Sequence, residues 1–168
     1  MRIDSAIAKL QDQKERRRLD AAIWVWSRDA GHFSEEERIR LIDVLDTSAR
    51  EDESDAVRNQ AVAALVRLQA PGAADLALDA LRDPDPMTRY TVAAGLGPTG
   101  DSRIVDQLIA LLDYDDGYVR EGAALGLSTQ NDSRAIDPLK AMLDRGERDS
   151  AAKAAAKRAL ASLQAARD

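Results

Sequence analysis

The sequence predicts an all-α fold, an α-solenoid (superhelix) of stacked antiparallel helix pairs, on three observations. Arg58, Arg89 and Arg120 stand 31 and 31 residues apart, and their neighbours repeat in the same register, the mark of a repeat architecture. Apolar residues recur at three- and four-residue steps, the helical period, and no segment alternates like a strand. Alanine supplies 31 of the 168 residues, against one Phe, two Trp and three Tyr. Such a core consists of many small contacts between closely approaching helices.

In chain order, residues 1–50 read as atypical N-terminal capping helices, a degenerate repeat. Arg18, Ala21 and Val25 follow the spacing of the later repeats and mark a first helix. Glu35 to Asp46 is its partner, opened by the capping box Ser34-Glu35-Glu36-Glu37. A terminal unit covers the end of a stack with a more polar outer face, so a departure from the repeat pattern is expected there. Thr47 to Ser54 reads as a polar, acidic linker.

Residues 51–168 form one continuous domain of repeats of about 31 residues. First helices are expected over Asp55 to Leu68, Pro86 to Leu96 and Gly117 to Leu127. Each carries a small or apolar residue three after its Arg (Ala61, Val92, Ala123) and a leucine seven after (Leu65, Leu96, Leu127). Second helices are expected over Ala73 to Arg82, Ser102 to Asp113 and Ser133 to Asp144. Their apolar faces hold Ala77, Leu108 and Leu139, then Leu81, Leu112 and Leu143. Asp101 and Asp132 stand where N-caps belong, and Pro and Gly punctuate the turns. Lys153, Ala156 and Leu160 begin a fourth, partial unit after a spacing of 33. A single hairpin cannot bury its own apolar face, whereas stacked neighbours do.

The segment Asp116-Gly117-Tyr118-Val119-Arg120-Glu121-Gly122-Ala123-Ala124-Leu125-Gly126 carries a recognisable pattern, as does Pro86-Met87-Thr88-Arg89 through Gly97, followed by Gly100-Asp101. Over about residues 52 to 163 the chain resembles HEAT repeats, specifically the short HEAT-like repeats of phycobilin lyases. The resemblance implies that the repeated Arg bonds an Asp of the preceding turn and ties one repeat to the next, with Asp83, Asp85, Asp113, Asp115 and Asp116 available. It also implies that second helices line a concave wall where partners are held. A row of anion-binding arginines is the other reading of that column.

Several function classes are excluded or disfavoured. With no Cys, thiolate metal sites and cysteine nucleophiles are absent, and His32 alone cannot supply a site needing two imidazoles. The iron-binding His-Glu pairs of HEAT-like hydroxylases are therefore missing. No Gly-rich phosphate loop and no Ser-His-Asp set occurs. The reading is of a protein that is not an enzyme and takes no cofactor and no metal. A net charge of -6 gives no general attraction to nucleic acid or to anionic lipid. No apolar run reaches the length of a membrane span, and the first residues lack a signal-peptide stretch. The expected compartment is the cytoplasm.

Asp75, Asp106 and Asp137 each fall 17 residues after a repeat Arg, and Asp113 and Asp144 follow seven later, with Asp79 beside them. On a helical wheel these positions lie off the apolar centre on one flank, so stacked repeats set them in an acidic stripe. Two readings stand: a surface that binds basic segments of a partner, or a solvated face that suits the helix dipoles, with Arg103 and Arg134 neutralising Asp106 and Asp137. Trp24 and Trp26 point about 200° apart on one helix, so both cannot sit centrally in one face. One packs in the N-terminal cap and the other is partly exposed, with Trp26 a candidate partner contact and core or edge packing the other reading. The basic run Lys14-Glu15-Arg16-Arg17-Arg18 reads as a solvated helix face. The resulting function is a non-enzymatic protein-binding scaffold or adaptor. The alternative is an auxiliary subunit of lyase or chaperone type acting on a pigment or its carrier protein.

Overall fold

Seven Ser and Asp side chains start the helices and turns of this chain. In the computed structural model, which describes residues 1–166, Ser34, Ser54, Asp85, Asp101, Asp116, Asp132 and Asp149 each accept a backbone N–H of the turn they open. This satisfies donors that the first turn of a helix leaves unpaired. Ser34 and Glu37 complete the capping box read from the sequence, with both reciprocal bonds formed. Ten α-helices and two 3₁₀ turns result, with no strand among the described residues.

The chain divides into two compact units, Met1–Ala77 and a second from Leu78 onward. The first contains α1 (Ile3–Leu10), α2 (Glu15–Trp26), α3 (Glu35–Glu51) and α4 (Asp55–Arg67). Here α1 packs on α2 and α3, and both of those pack on α4. Leu10, Ala21, Val25, Leu41, Leu45, Val57, Ala61 and Leu65 fill its interior. The chain passes between the units within α5 (Ala73–Ala80).

The second unit holds α6 (Pro86–Gly95), α7 (Ser102–Leu111), α8 (Gly117–Gln130), α9 (Ile136–Asp144) and α10 (Ser150–Ala165). The first helices of successive repeats lie side by side, α6 on α8 and α8 on α10, while α7 packs on α8 and α9 on α10. Glycine makes the α6–α8 approach possible. A Cβ on Gly126 would stand 2.6 Å from the carbonyl oxygen of Ala93, and one on Gly122 would stand 3.0 Å from the backbone of Tyr90. At its far end α8 caps its neighbour: Thr129 Oγ1 donates to Leu96 O and Gln130 Nε2 to Gly97 O, both at 2.9 Å.

Three expectations need correction. The segment 47–51, read as linker, continues α3, because Leu45, Ser48 and Ala49 extend its buried face and Asp46–Arg50 is an i,i+4 ion pair at 2.9 Å. The helix expected from Ser133 starts as a 3₁₀ turn, Ser133–Ala135, before α9. Helix α1 was not anticipated. Ile3, Ala6, Ile7 and Leu10 carry a helical stripe but lie outside the 31-residue register.

Candidate functional site

Each repeat Arg folds back over the loop that precedes its own helix. Arg18 donates through one terminal nitrogen to the carbonyls of Asp12 and Gln13, at 3.0 and 3.1 Å. Arg58 does the same to Asp52 at 2.6 Å, Arg89 to Asp83 and Pro84, and Arg120 to Tyr114 and Asp115 at 2.7 and 2.8 Å. The acceptors are main-chain oxygens five and six residues upstream. The expected carboxylate of the preceding turn is not the partner of Arg89 or Arg120. The turn places its carbonyls inward, where the planar guanidinium fork fits them.

In Arg18, Arg89 and Arg120 another part of the guanidinium reaches the next repeat, whereas Arg58 pairs with Asp55 in the first turn of its own helix. Arg18 holds Asp52 through Nε and its second terminal nitrogen, at 2.7 and 2.9 Å. Arg120 holds Glu147 in the same way, at 2.6 and 2.7 Å. Arg89 instead lies over the ring of Tyr114, 4.2 Å from its centroid. Asp52, Tyr114 and Glu147 each stand six residues before the next repeat's own basic position, Arg58, Arg120 and Lys153. Sequence reasoning missed this position, although the 31-residue register marks it. Glu147 is held below the usual carboxylate range by the Arg120 bonds, against the opposing effect of burial. Burial raises the Asp52 carboxyl, but Arg18 and the Ser54 N–H outweigh it and leave it below the ordinary value.

All six aspartates singled out from the sequence are exposed. Asp106, on α7, meets Arg134 at 2.7 Å, and Asp113, just past α7, pairs with Arg145 beyond α9. Asp137, in the first turn of α9, lies 3.9 Å from Lys140, and Asp144 is the last residue of that helix. Within the second unit this flank therefore alternates in sign. Asp106 is neutralised from the following repeat by Arg134. Arg103 turns to its own cap, Asp101, at 2.7 Å. Asp75 and Asp79 lie on α5.

Trp24 and Trp26 are both half-buried. Arg28 lies 4.0 Å over Trp24, which also meets the Phe33 ring edge-on at 6.0 Å, and Arg67 lies 5.9 Å from the centre of Trp26. In the basic run, Arg18 is buried in the column just described and Arg17 pairs with Asp12 at 2.8 Å. A cleft of about 300 Å³ opens beside Tyr114, walled by the Arg120–Glu147 and Asp113–Arg145 pairs. Among the described residues no helix is long and apolar enough to cross a membrane.

The model of a family described as HEAT repeats matches residues 41–124 and 74–161. No curated protein matches the sequence. Similar solved structures include the complex of CpcE and CpcF of phycocyanin lyase from Nostoc sp. PCC7120, at 24% identity and a TM-score of 0.66, covering 98% of this chain and 66% of that one. This chain thus spans just under two thirds of that protein. Two engineered proteins are also similar, at 18% and 16% identity, with TM-scores of 0.59 and 0.56. Each match covers 98% of this chain, with 80% and 100% of the respective engineered chain. These likenesses establish the fold, the all-α repeat solenoid expected from the sequence.

Proposed function

The chain belongs to the HEAT-repeat family, and from that premise we propose that it is a non-enzymatic scaffold that binds a protein partner with a basic segment. The contact runs through the exposed aspartates on and beside the second helices of the second unit, Asp106, Asp113, Asp137 and Asp144. The observation that carries this reading is that Asp106 and Asp137, and likewise Asp113 and Asp144, recur at equivalent repeat positions and are all exposed. Where a carboxylate already meets Arg134 or Arg145, a partner's cation adds to or exchanges with a solvent-exposed pair, which costs little because such pairs are worth about 0–1 kcal/mol. Use of this fold for protein contacts is supported by the similar structure, itself a complex of two proteins.

The test is an affinity capture from the native source, followed by binding measurements on the partner identified. The double variant Asp106→Lys, Asp137→Lys should bind more weakly, keep a native circular dichroism spectrum, and lose the salt dependence of binding. Unchanged affinity removes the reading. The likeness to a phycocyanin lyase subunit favours a second reading, an auxiliary subunit of lyase or chaperone type. Visible absorbance after co-expression with a bilin pigment would support it.

A further inference from the structure

We propose that the edge of the second unit at which its first helices begin is a docking surface for an arginine- or lysine-bearing segment of a partner protein, held by Tyr114, Tyr118 and their flanking carboxylates.

The register builds this edge. Met87 and Tyr118 stand 31 residues apart, each two residues before its repeat Arg. Both lie in the first turn of a first helix, and α6 and α8 are packed neighbours. Met87 is 55% exposed, Tyr118 63% and Tyr114 43%. Isolated exposed apolar side chains are ordinary, but a cluster on one edge is informative. These three are the large exposed hydrophobic residues of the second unit among the described residues. The cluster is also ordered. The close approach at Gly122 brings the Tyr90 ring edge-on to Tyr118 at 6.1 Å, and Arg89 backs the Tyr114 ring at 4.2 Å.

Charge selects the occupant. Asp85 and Asp115 are exposed around the tyrosines, and Asp83, Asp116 and Glu121 are half-exposed. Of the cations nearby, Arg89 and Arg120 are turned inward to main-chain carbonyls. The exposed Arg145 and Arg148 line the cleft beside Tyr114, Arg145 being paired with Asp113, so carboxylates outnumber free cations along the edge. An electron-rich ring face bordered by carboxylates suits a guanidinium or ammonium and repels phosphate and anionic lipid. Arg89 on Tyr114 already shows the stacking in place. Of the aspartates in the preceding proposal, Asp113 lines the same cleft as Tyr114, whereas Asp106, Asp137 and Asp144 do not, so shifts at α7 and α9 distinguish the two surfaces.

The probe is the peptide acetyl-Gly-Arg-Gly-Arg-Gly-Arg-Gly-amide, titrated into the ¹⁵N-labelled full chain at low ionic strength, with the Glu-for-Arg peptide in parallel. Saturable amide shifts over residues 83–90 and 113–121 are expected with the Arg peptide alone. Tyr118→Ala should weaken binding about three- to tenfold, and Tyr118→Phe, which keeps the ring, by less than about twofold. Tyr118 is exposed, so both variants should melt like the parent. The proposal is overturned if no saturable binding occurs, if the shifts centre on α7 and α9, or if Tyr118→Ala binds like the parent. Equal binding of the Glu peptide also overturns it. So do concentration-dependent shifts of these amides without peptide, which would show a second copy of the chain on this edge.

Discussion

Removing Arg120 isolates what the repeat arginine contributes. Its side chain is 17% exposed and that of Glu147 only 4%, so Arg120→Ala leaves a buried carboxylate without its cation. Breaking such a pair from one side costs about 3–5 kcal/mol. Glu147 keeps the Asp149 N–H at 2.7 Å, which puts the expected loss near the low end, about 3 kcal/mol. At a urea slope of about 2 kcal/mol per molar, the midpoint falls by about 1.5 M. Urea unfolding by circular dichroism reads the loss, and hydrogen exchange on α8 and α10 locates it. The pH dependence carries the sharper test. In the parent, Arg120 depresses the folded-state value of Glu147. That stabilisation is complete above the unfolded carboxyl's value and is lost as the pH falls through the folded one. In the variant burial and the Asp149 and Arg148 N–H groups remain, and burial opposes the charge. Acidification relieves that penalty, so the stability gap between parent and variant narrows from pH 7 to pH 4. The double variant Arg120→Met, Glu147→Leu, which removes both charges, should lose less than Arg120→Ala. A gap below about 0.5 kcal/mol, or one that does not change with pH, refutes the reasoning.

Two further outcomes follow from the second unit. Gly126→Ala gains about 1 kcal/mol of helix propensity but drives a methyl against the Ala93 carbonyl, a backbone atom that cannot rotate away. With overpacking costing about 1–3 kcal/mol, the variant should be less stable by about 1 kcal/mol in urea, and equal or greater stability would mean that α6 and α8 separate freely. Tyr114→Glu should give the buried, acceptorless Nε of Arg89 a partner like those of Arg18 and Arg120. Satisfying that donor is worth about 1–3 kcal/mol against about 1 kcal/mol of lost stacking, so urea stability rises at neutral pH and the gain fades as the new carboxylate protonates.

The first helices were legible because Ala, Val and Leu repeat there at helical steps in one register, and the structure buries Ala61, Val92 and Ala123 at the same position. The caps were legible because Asp and Ser have a local job at helix starts, independent of tertiary context. Helix ends were not. The polar stretch after Asp46 looks like a linker, yet Thr47 and Ser48 bond back to the carbonyls of Asp43 and Val44, and burial of Ala49 carries the helix on. The six aspartates could be placed on one flank from periodicity. That Asp106 meets Arg134 and not Arg103 depends on how consecutive repeats stack, which a helical wheel does not contain. The same limit hid the aromatic edge: Tyr114 and Tyr118 lie four apart, one in a turn and one on a helix, and only the packing of α6 sets Tyr90 against Tyr118 and Arg89 against Tyr114.

The arginine column also shows why a repeat tolerates sequence drift. A guanidinium has two working edges and two faces. One terminal nitrogen closes the repeat's own loop through main-chain carbonyls, and that contact needs nothing of the side chains upstream: Asp12 and Gln13, Asp52, Asp83 and Pro84, and Tyr114 and Asp115 serve alike. In Arg18, Arg89 and Arg120 the remaining nitrogens or the flat face then reach forward, and there the partner is free to be an acid or a ring. Asp52 and Glu147 take the edge, and Tyr114 takes the face and leaves Arg89 Nε without an acceptor. The Arg is thus fixed by backbone geometry, which every repeat shares, whereas its forward contact is fixed by side-chain chemistry, which each repeat chooses. A column of identical arginines beside a column of dissimilar partners is what that division produces, and it is why the arginines disclose the repeat while their partners do not.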